Sequence, residues 1–368
     1  MNIEDEKISG RQLTFLLFTV LIASSILILP TMIFEEAKQD AWLSIFIVAA
    51  AAVVVGLINV KLGLRFPGQT IIEYSKEIAG GPLGTLFGLA YLLLLFYVNI
   101  LVIREFAELL KIQFFPETPV ELFPSLMVLA AAYAVRRGLE VLCRINEILL
   151  PLVMLFALGG LFLIFKELDF AQILPALSNG FMPVLKGAYP AIFFFTETNL
   201  IALILPALNN QRRALKSTLT AVLSASFLFA VLSIAALALL GLRAADYLAP
   251  VPFLFRYISA GSIIERQETL IMSLWMAIAL VKMGIFYFCL CQGAARWAGL
   301  RDYGPLVLPI GVLLVLISII HIPDINALRE MIIRGIPAML SVQVGLPLLL
   351  LITAAWRGKG GTADEKTH

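Results

Sequence analysis

Ten stretches of this chain, near residues 12–34, 42–63, 83–111, 120–136, 142–166, 184–208, 215–241, 267–292, 304–322 and 335–356, are apolar along most of their length. A bilayer core about 30 Å thick is crossed by roughly 20 apolar residues in a helix, and a helix satisfies its own backbone groups in hydrocarbon. The stretches therefore predict an all-α integral membrane protein with ten transmembrane helices. A composition of 61% hydrophobic and 14% charged residues agrees, since soluble domains are about a quarter charged. What remains between the stretches is too short for a sizeable soluble domain. The chain reads as a single transmembrane domain over 1–368, ending in a polar, Gly-rich tail at 357–368 expected to be a flexible cytoplasmic end. The head, MNIEDEKISGRQ, lacks a small-residue cleavage site, so the first stretch reads as a retained span rather than a signal peptide.

With the N-terminus inside, the inner segments carry sixteen of the 27 Lys and Arg residues and the outer segments nine. The positive-inside rule then places both termini in the cytoplasm. Cys143, Cys289 and Cys291 form no disulfide framework or zinc spacing, and His321 and His368 are the only histidines. Patterns of the HExxH, GxSxG and Walker types are lacking. No metal, no cofactor and no enzyme active site are expected, and no basic stripe suggests nucleic acid. Of the longer outer segments, 167–183 and 242–266, the second contains VPFLFRYISAGSII, too short to span and read as a re-entrant or interfacial piece.

Ten spans divide into halves of five, 12–166 and 184–356. An odd number per half gives the halves opposite orientation, the topology of inverted-repeat transporters, whose leading helices are broken at mid-membrane. The first span, LTFLLFTVLIASSILILPTMIF, carries Ala23-Ser24-Ser25 near its middle, with Pro30 following. Pro30 removes one helical amide, and small hydroxyls satisfy carbonyls freed by a break. The sixth, PVLKGAYPAIFFFTETNLIALILPAL, has Pro190 and then Thr196, Glu197, Thr198 and Asn199. The expected fold is thus a 5+5 inverted repeat with broken first and sixth helices, as in amino acid transporters.

A broken helix presents amides with partial positive charge and carbonyls with partial negative charge. A zwitterion fits such a pair of poles, its carboxylate on the amides after Ser25 and its ammonium near Thr196. Ser24, Ser25 and Ile26 on one side, with Phe195, Thr196, Glu197 and Asn199 on the other, are the candidate ligand-binding residues. An ionised Glu197 in hydrocarbon must pair, protonate or face water. Its candidate partner is Lys282, deep in the eighth span. Such a pair either clips spans six and eight together or takes part in ligand, proton or switching chemistry. Arg104 is placed to snorkel outward, and Glu105 and Glu108 beside it are candidates for an outer entrance. Tyr97 and Tyr287 lie deeper, as packed aromatics or as hydroxyls reaching a central cavity.

EEAKQDAW at 35–42, RFPGQTIIEY at 65–74, REFAELLKIQFFPETPVE at 104–121 and YAVRRGLEVLCRINEILLP at 133–151 resemble the B subunit of bacterial spore germinant receptors. ISGRQL at 8–13, SSILILP at 24–30 and the run from Arg266 through Trp275 to Lys282 fit the same pattern. That family is the endospore germination permeases, within the amino acid–polyamine–organocation transporter superfamily. The resemblance covers nearly the whole chain. It implies a membrane subunit in the spore inner membrane that binds a small germinant, often an amino acid. It also implies two partners, an A-type membrane subunit and a lipoprotein C subunit, with germinant binding leading to release of ions and dipicolinate. Carried onto this chain, the implied pocket comprises Ser24 and Ser25, Tyr97, the segment near Glu197, and span eight near Tyr287. Two other readings share the same broken-helix site: an active amino acid permease coupled to protons or sodium, and a structural subunit with a degenerate pocket.

Overall fold

The computed structural model describes residues 7–247, 249–256 and 267–361. Among these the regular structure is helical, apart from one isolated bridge between Ile8 and Leu208. Eight helical stretches are long and apolar enough to cross a membrane, and two shorter apolar helices, Gly10–Ala23 and Leu122–Val135, join them. The chain is an integral membrane protein of ten spans. Span 1 comprises Gly10–Ala23 and Ser25–Ala37, span 2 is Ala41–Arg65, span 3 Gly81–Gln113, span 4 Leu122–Val135 and span 5 Leu139–Ile164. Span 6 runs from Met182–Phe195 through a 3-10 segment, Thr196–Leu200, to Ile201–Ile204. Span 7 is Ala214–Leu240, span 8 Gln267–Ala298, span 9 Gly304–His321, and span 10 Ile325–Leu340 continued by Leu346–Trp356.

Several helices outrun their apolar stretches because polar residues start or extend them. Span 10 begins ten residues before its apolar run, where Asp324 accepts from the amides of Asn326 and Ala327, both at 2.8 Å. That cap satisfies two of the amides a helix start leaves bare. The RFPGQTIIEY stretch forms a short helix, Ile71–Ala79, lying before span 3. Glu73 closes its capping box, accepting from the Thr70 amide at 2.8 Å. Gly80 ends it at φ +93°, a left-handed conformation that a residue with a Cβ adopts only with strain. Of the piece expected to be re-entrant, Pro250–Arg256 is a short helix, and residues 257–264 lie outside the described residues, as do 362–368 of the tail.

Burial sorts the spans into core and rim. The most apolar window of span 6 is 83% buried and that of span 8 is 78%, against 22% for span 9. Spans 6 and 8 therefore line the centre, while span 9 turns most of its apolar surface toward lipid. Buried polar bonds tie span 1 and span 6 to their neighbours: Thr19 Oγ1 donates to Asn146 Oδ1 of span 5 at 2.8 Å, and Ser44 Oγ of span 2 donates to the Val184 carbonyl at 2.8 Å. Such bonds register helices where lipid offers no hydrophobic drive for their association.

Ile8, Arg357 and Lys359, near the two limits of the described residues, lie at one end of the bundle. The Ile8 amide donates to the Ala207 carbonyl at 2.8 Å, and the Asn209 amide donates to the Ile8 carbonyl at 3.0 Å. Arg357 Nη1 donates to Ile78 O at 2.8 Å, and Lys359 Nζ to Glu77 O, so cations cap the carbonyl end of the short helix. Arg296 of span 8 reaches the same helix, its Nη1 donating to both oxygens of Glu73 at 2.8 and 2.7 Å.

Candidate functional site

Spans 1 and 6 are both interrupted near their middles. In span 1 the helix stops at Ala23 and resumes at Ser25. Ser24 keeps φ −90° and ψ −40°, so the interruption is one residue wide and its backbone stays in the right-handed helical region. The Leu27 amide bonds the Ser24 carbonyl at 3.1 Å, three residues back. The Ala23 carbonyl accepts instead from the indole Nε1 of Trp275 in span 8, at 2.8 Å. Ser25 Oγ donates back to the Leu21 carbonyl. The freed backbone at this break is therefore engaged by protein groups in this conformation.

Span 6 tightens to a 3-10 turn over Thr196–Leu200. Thr196 and Thr198 donate to the carbonyls of Phe193 and Phe195, at 2.9 and 2.5 Å. Side-chain bonds of this kind compete with the helical ladder and favour its distortion. Tyr91 of span 3 donates to the Asn199 carbonyl at 2.7 Å. Span 10 is distorted at the same place: Ser341–Gly345 is a π segment, and Gln343 within it lies 2.6 Å from Thr196 Oγ1.

Glu197 and Lys282 meet between spans 6 and 8. Nζ stands 2.7 Å from Oε2, and the side chains are 0% and 1% exposed for Lys282 and Glu197. The ammonium also lies 5.7 Å from the centroid of the Phe286 ring. Taking both charges out of water costs several kcal/mol each, and only close, hydrogen-bonded contact offsets that cost. A third ionisable group joins them. The Glu105 carboxylate lies beside the Ser24 hydroxyl and within electrostatic reach of Lys282 and Glu197. Ser24, Glu105, Glu197 and Lys282 thus form one buried cluster drawn from spans 1, 3, 6 and 8.

Among the described residues Glu105 Oε1 and Asn199 Nδ2 have no hydrogen-bond partner, and the buried Ser24 hydroxyl has only the Glu105 carboxylate beside it. Such atoms are rare in folded proteins because each costs about the full desolvation of the group. Glu105 also borders a cleft of about 10 Å³ with Leu27, Ile28 and Leu109. That is space for about one water molecule.

Other candidate residues lie elsewhere. Ser25 and Ile26 are buried just after the span 1 interruption, Phe195 is buried just before that of span 6, and Thr196 is buried within it. Glu105 and Glu108, expected at an outer entrance, are 4% and 5% exposed. Glu108 is drawn into a 2.5 Å ion pair with Arg104, which also donates to the Pro323 carbonyl at 2.7 Å. Arg104 therefore does not snorkel to the surface. Tyr97 and Tyr287 point away from the cluster. Tyr97 donates to the Met331 carbonyl at 2.8 Å and lines a cleft of about 310 Å³ between spans 3 and 10. Tyr287 donates to the Val307 carbonyl and lines a cleft of about 270 Å³ between spans 4 and 9. Among the described residues no cluster of His, Cys, Asp and Glu could hold a metal ion.

The contacts of Trp275, Gln343 and Tyr91 escaped the sequence reading. Each is a donor or amide inside an apolar span, and a buried indole, amide or phenol needs a partner. That signal says that a contact exists without saying to what.

A family model described as "Spore germination protein" matches residues 7–324. Spore germination protein KB of Bacillus subtilis (strain 168) is 26% identical, the match covering 97% of this chain and 96% of that protein. Among solved structures, a Na+-coupled sialic acid symporter in a substrate-bound, outward-open state is similar with a TM-score of 0.66 at 13% identity, covering 94% of this chain and 79% of that one. A nucleobase-cation-symport-1 family transporter, closed around bromovinylhydantoin, gives a TM-score of 0.65 at 12% identity, covering 95% and 78%. These likenesses show a transporter fold of the 5+5 inverted-repeat kind with interrupted first and sixth helices.

Proposed function

This chain belongs to the spore germination protein family, and from that premise we propose that it is the membrane subunit of a germinant receptor, binding a small nutrient, of the amino acid class, in mid-membrane. The observation that carries the reading is a set of buried polar groups short of hydrogen-bond partners, Ser24, Glu105 and Asn199, in the spans that also hold the buried Glu197–Lys282 pair. A ligand with an ammonium and hydrogen-bonding groups would satisfy them, and its differential affinity for two conformations would supply the signal. A swing from 1:99 to 99:1 needs about 5.5 kcal/mol of differential binding. Charged hydrogen bonds at roughly 1.5–3 kcal/mol each supply part of it. An A-type membrane subunit and a lipoprotein C subunit set the remaining bias, in the spore inner membrane with both termini cytoplasmic.

The transporter-like fold favours one other reading, an active permease driven by protons or sodium. Deletion and reconstitution separate the two. A receptor loses germination on deletion while the purified chain in proteoliposomes takes up no labelled amino acid. Saturable uptake driven by an ion gradient would overturn the receptor reading in favour of the permease.

A further inference from the structure

At the end of the bundle remote from both termini lies a cavity of about 270 Å³, walled by the far ends of span 1, span 6 and span 10. Four charged side chains line it, beside the Tyr189 phenol: Glu35 and Glu36 of span 1, Lys186 of span 6 and Arg329 of span 10. Their formal charges cancel. Glu35 and Arg329 are joined in an ion pair that bridges spans 1 and 10 across the cavity wall. Among the described residues Glu36 and Lys186 form no ion pair with each other or with another group, so more than 4.0 Å separates their charged atoms although they share one cavity. The rest of the wall is apolar, with Met32, Pro190 and Ile336 at its base.

We propose that this cavity binds a small dipolar molecule, one that presents an ammonium to Glu36 and an anionic group to Lys186. A lone anion would meet two carboxylates, and a lone cation would meet two cations. Only a ligand carrying both signs meets complementary charge on each wall, and the Glu35–Arg329 pair keeps the other two charges from capturing it. The apolar base suits an unbranched or branched hydrocarbon side chain. Two sources supply this chemistry: a free neutral amino acid, and a lipid headgroup with an ammonium and a phosphate, because span ends lie at headgroup depth. Charges this exposed are screened by salt and contribute little singly, so binding is salt-sensitive. These residues are distinct from the mid-membrane cluster, and the inference stands without the receptor reading.

Tyr189 lines the same cavity and is 45% exposed, which makes it a reporter position. Cys143, Cys289 and Cys291 are buried and give little background with a membrane-impermeant thiol reagent. The full chain carrying Tyr189→Cys is placed in nanodiscs of phosphatidylglycerol, and the alkylation rate of the introduced thiol is followed with L-leucine, 3-methylbutylamine or 4-methylpentanoate added. L-Leucine is expected to slow alkylation about two- to fivefold at low salt, the other two having no effect. Glu36→Gln and Lys186→Gln should each abolish the protection. Protection without any added amino acid, seen only when phosphatidylethanolamine is included, assigns the headgroup as the source. Alkylation unmoved by both L-leucine and phosphatidylethanolamine overturns the proposal, as does equal protection by the amine or the acid alone. Germination response in Glu36→Gln and Glu197→Gln, measured alongside, tells failure of this cavity from failure of the mid-membrane site.

Discussion

The indole Nε1 of Trp275 lies 2.8 Å from the carbonyl oxygen of Ala23, 252 residues away in sequence. Span 8 thereby holds the carbonyl that the interruption of span 1 releases. Replacing Trp275 by Phe keeps an aromatic ring and removes the donor. The carbonyl is buried, so its orphaning should cost about 1–3 kcal/mol. Thermal unfolding of the purified protein in detergent measures this. An unchanged midpoint would mean that the bond contributes nothing and that the break is held by packing alone.

The Glu197–Lys282 pair yields a prediction in three variants. Glu197→Gln and Lys282→Met each leave one buried charge without its partner, and each should destabilise by about 3–5 kcal/mol. The double variant removes both charges and should recover a large part of that loss. For a functional role, Glu197→Gln must also impair germinant response more than membrane abundance. Normal abundance with an unchanged dose response leaves the pair as a clip between two helices.

Gly335 faces Tyr97 across the cleft between spans 3 and 10. A Cβ built there comes within 2.6 Å of the Tyr97 hydroxyl oxygen and 2.8 Å of Met339 Cε. Gly335→Ala should therefore displace the hydroxyl from the Met331 carbonyl and cost about 1–3 kcal/mol. Adding Tyr97→Phe removes the clashing oxygen and should restore part of the loss. If Gly335→Ala is as stable as the parent, spans 3 and 10 are less tightly opposed than their contact indicates.

Glu73 serves two roles, capping the helix Ile71–Ala79 and receiving Arg296. Glu73→Ala removes a capping group worth about 1 kcal/mol and a partly buried ion pair worth about 1 kcal/mol. Amide hydrogen exchange should rise across residues 71–79 first, with span 3 little affected. Uniform exchange across both would place the effect on the whole bundle instead.

The span count and the place of both interruptions are legible in the sequence, because each rests on local composition: a long apolar run, a Ser pair, a Thr-Glu-Thr-Asn cluster. Glu197 and Lys282 stand out for the same reason, as charges where none belongs. Rotation about each helix axis is not legible. One residue step turns a side chain by about 100°, so Glu105 and Glu108, three steps apart, still differ by about 60° in azimuth, and Glu105 turns to Ser24 while Glu108 turns to Arg104. Tyr97 and Tyr287 have the depth for a central cavity but the azimuth of outer clefts. The partners of Trp275 and Gln343 are fixed only when distant helices assemble, so neither contact leaves a trace near its own residue.

The pairing of Ile8 with the backbone at Ala207 and Asn209 has a consequence for any observer of this molecule. Ile8 is stitched to the strip of chain that leaves span 6, so a tilt or twist of that helix is passed straight to it. A dye or spin label placed just ahead of Ile8 would feel events in the bilayer interior without touching it. A neighbouring subunit resting on the same spot would be equally well informed.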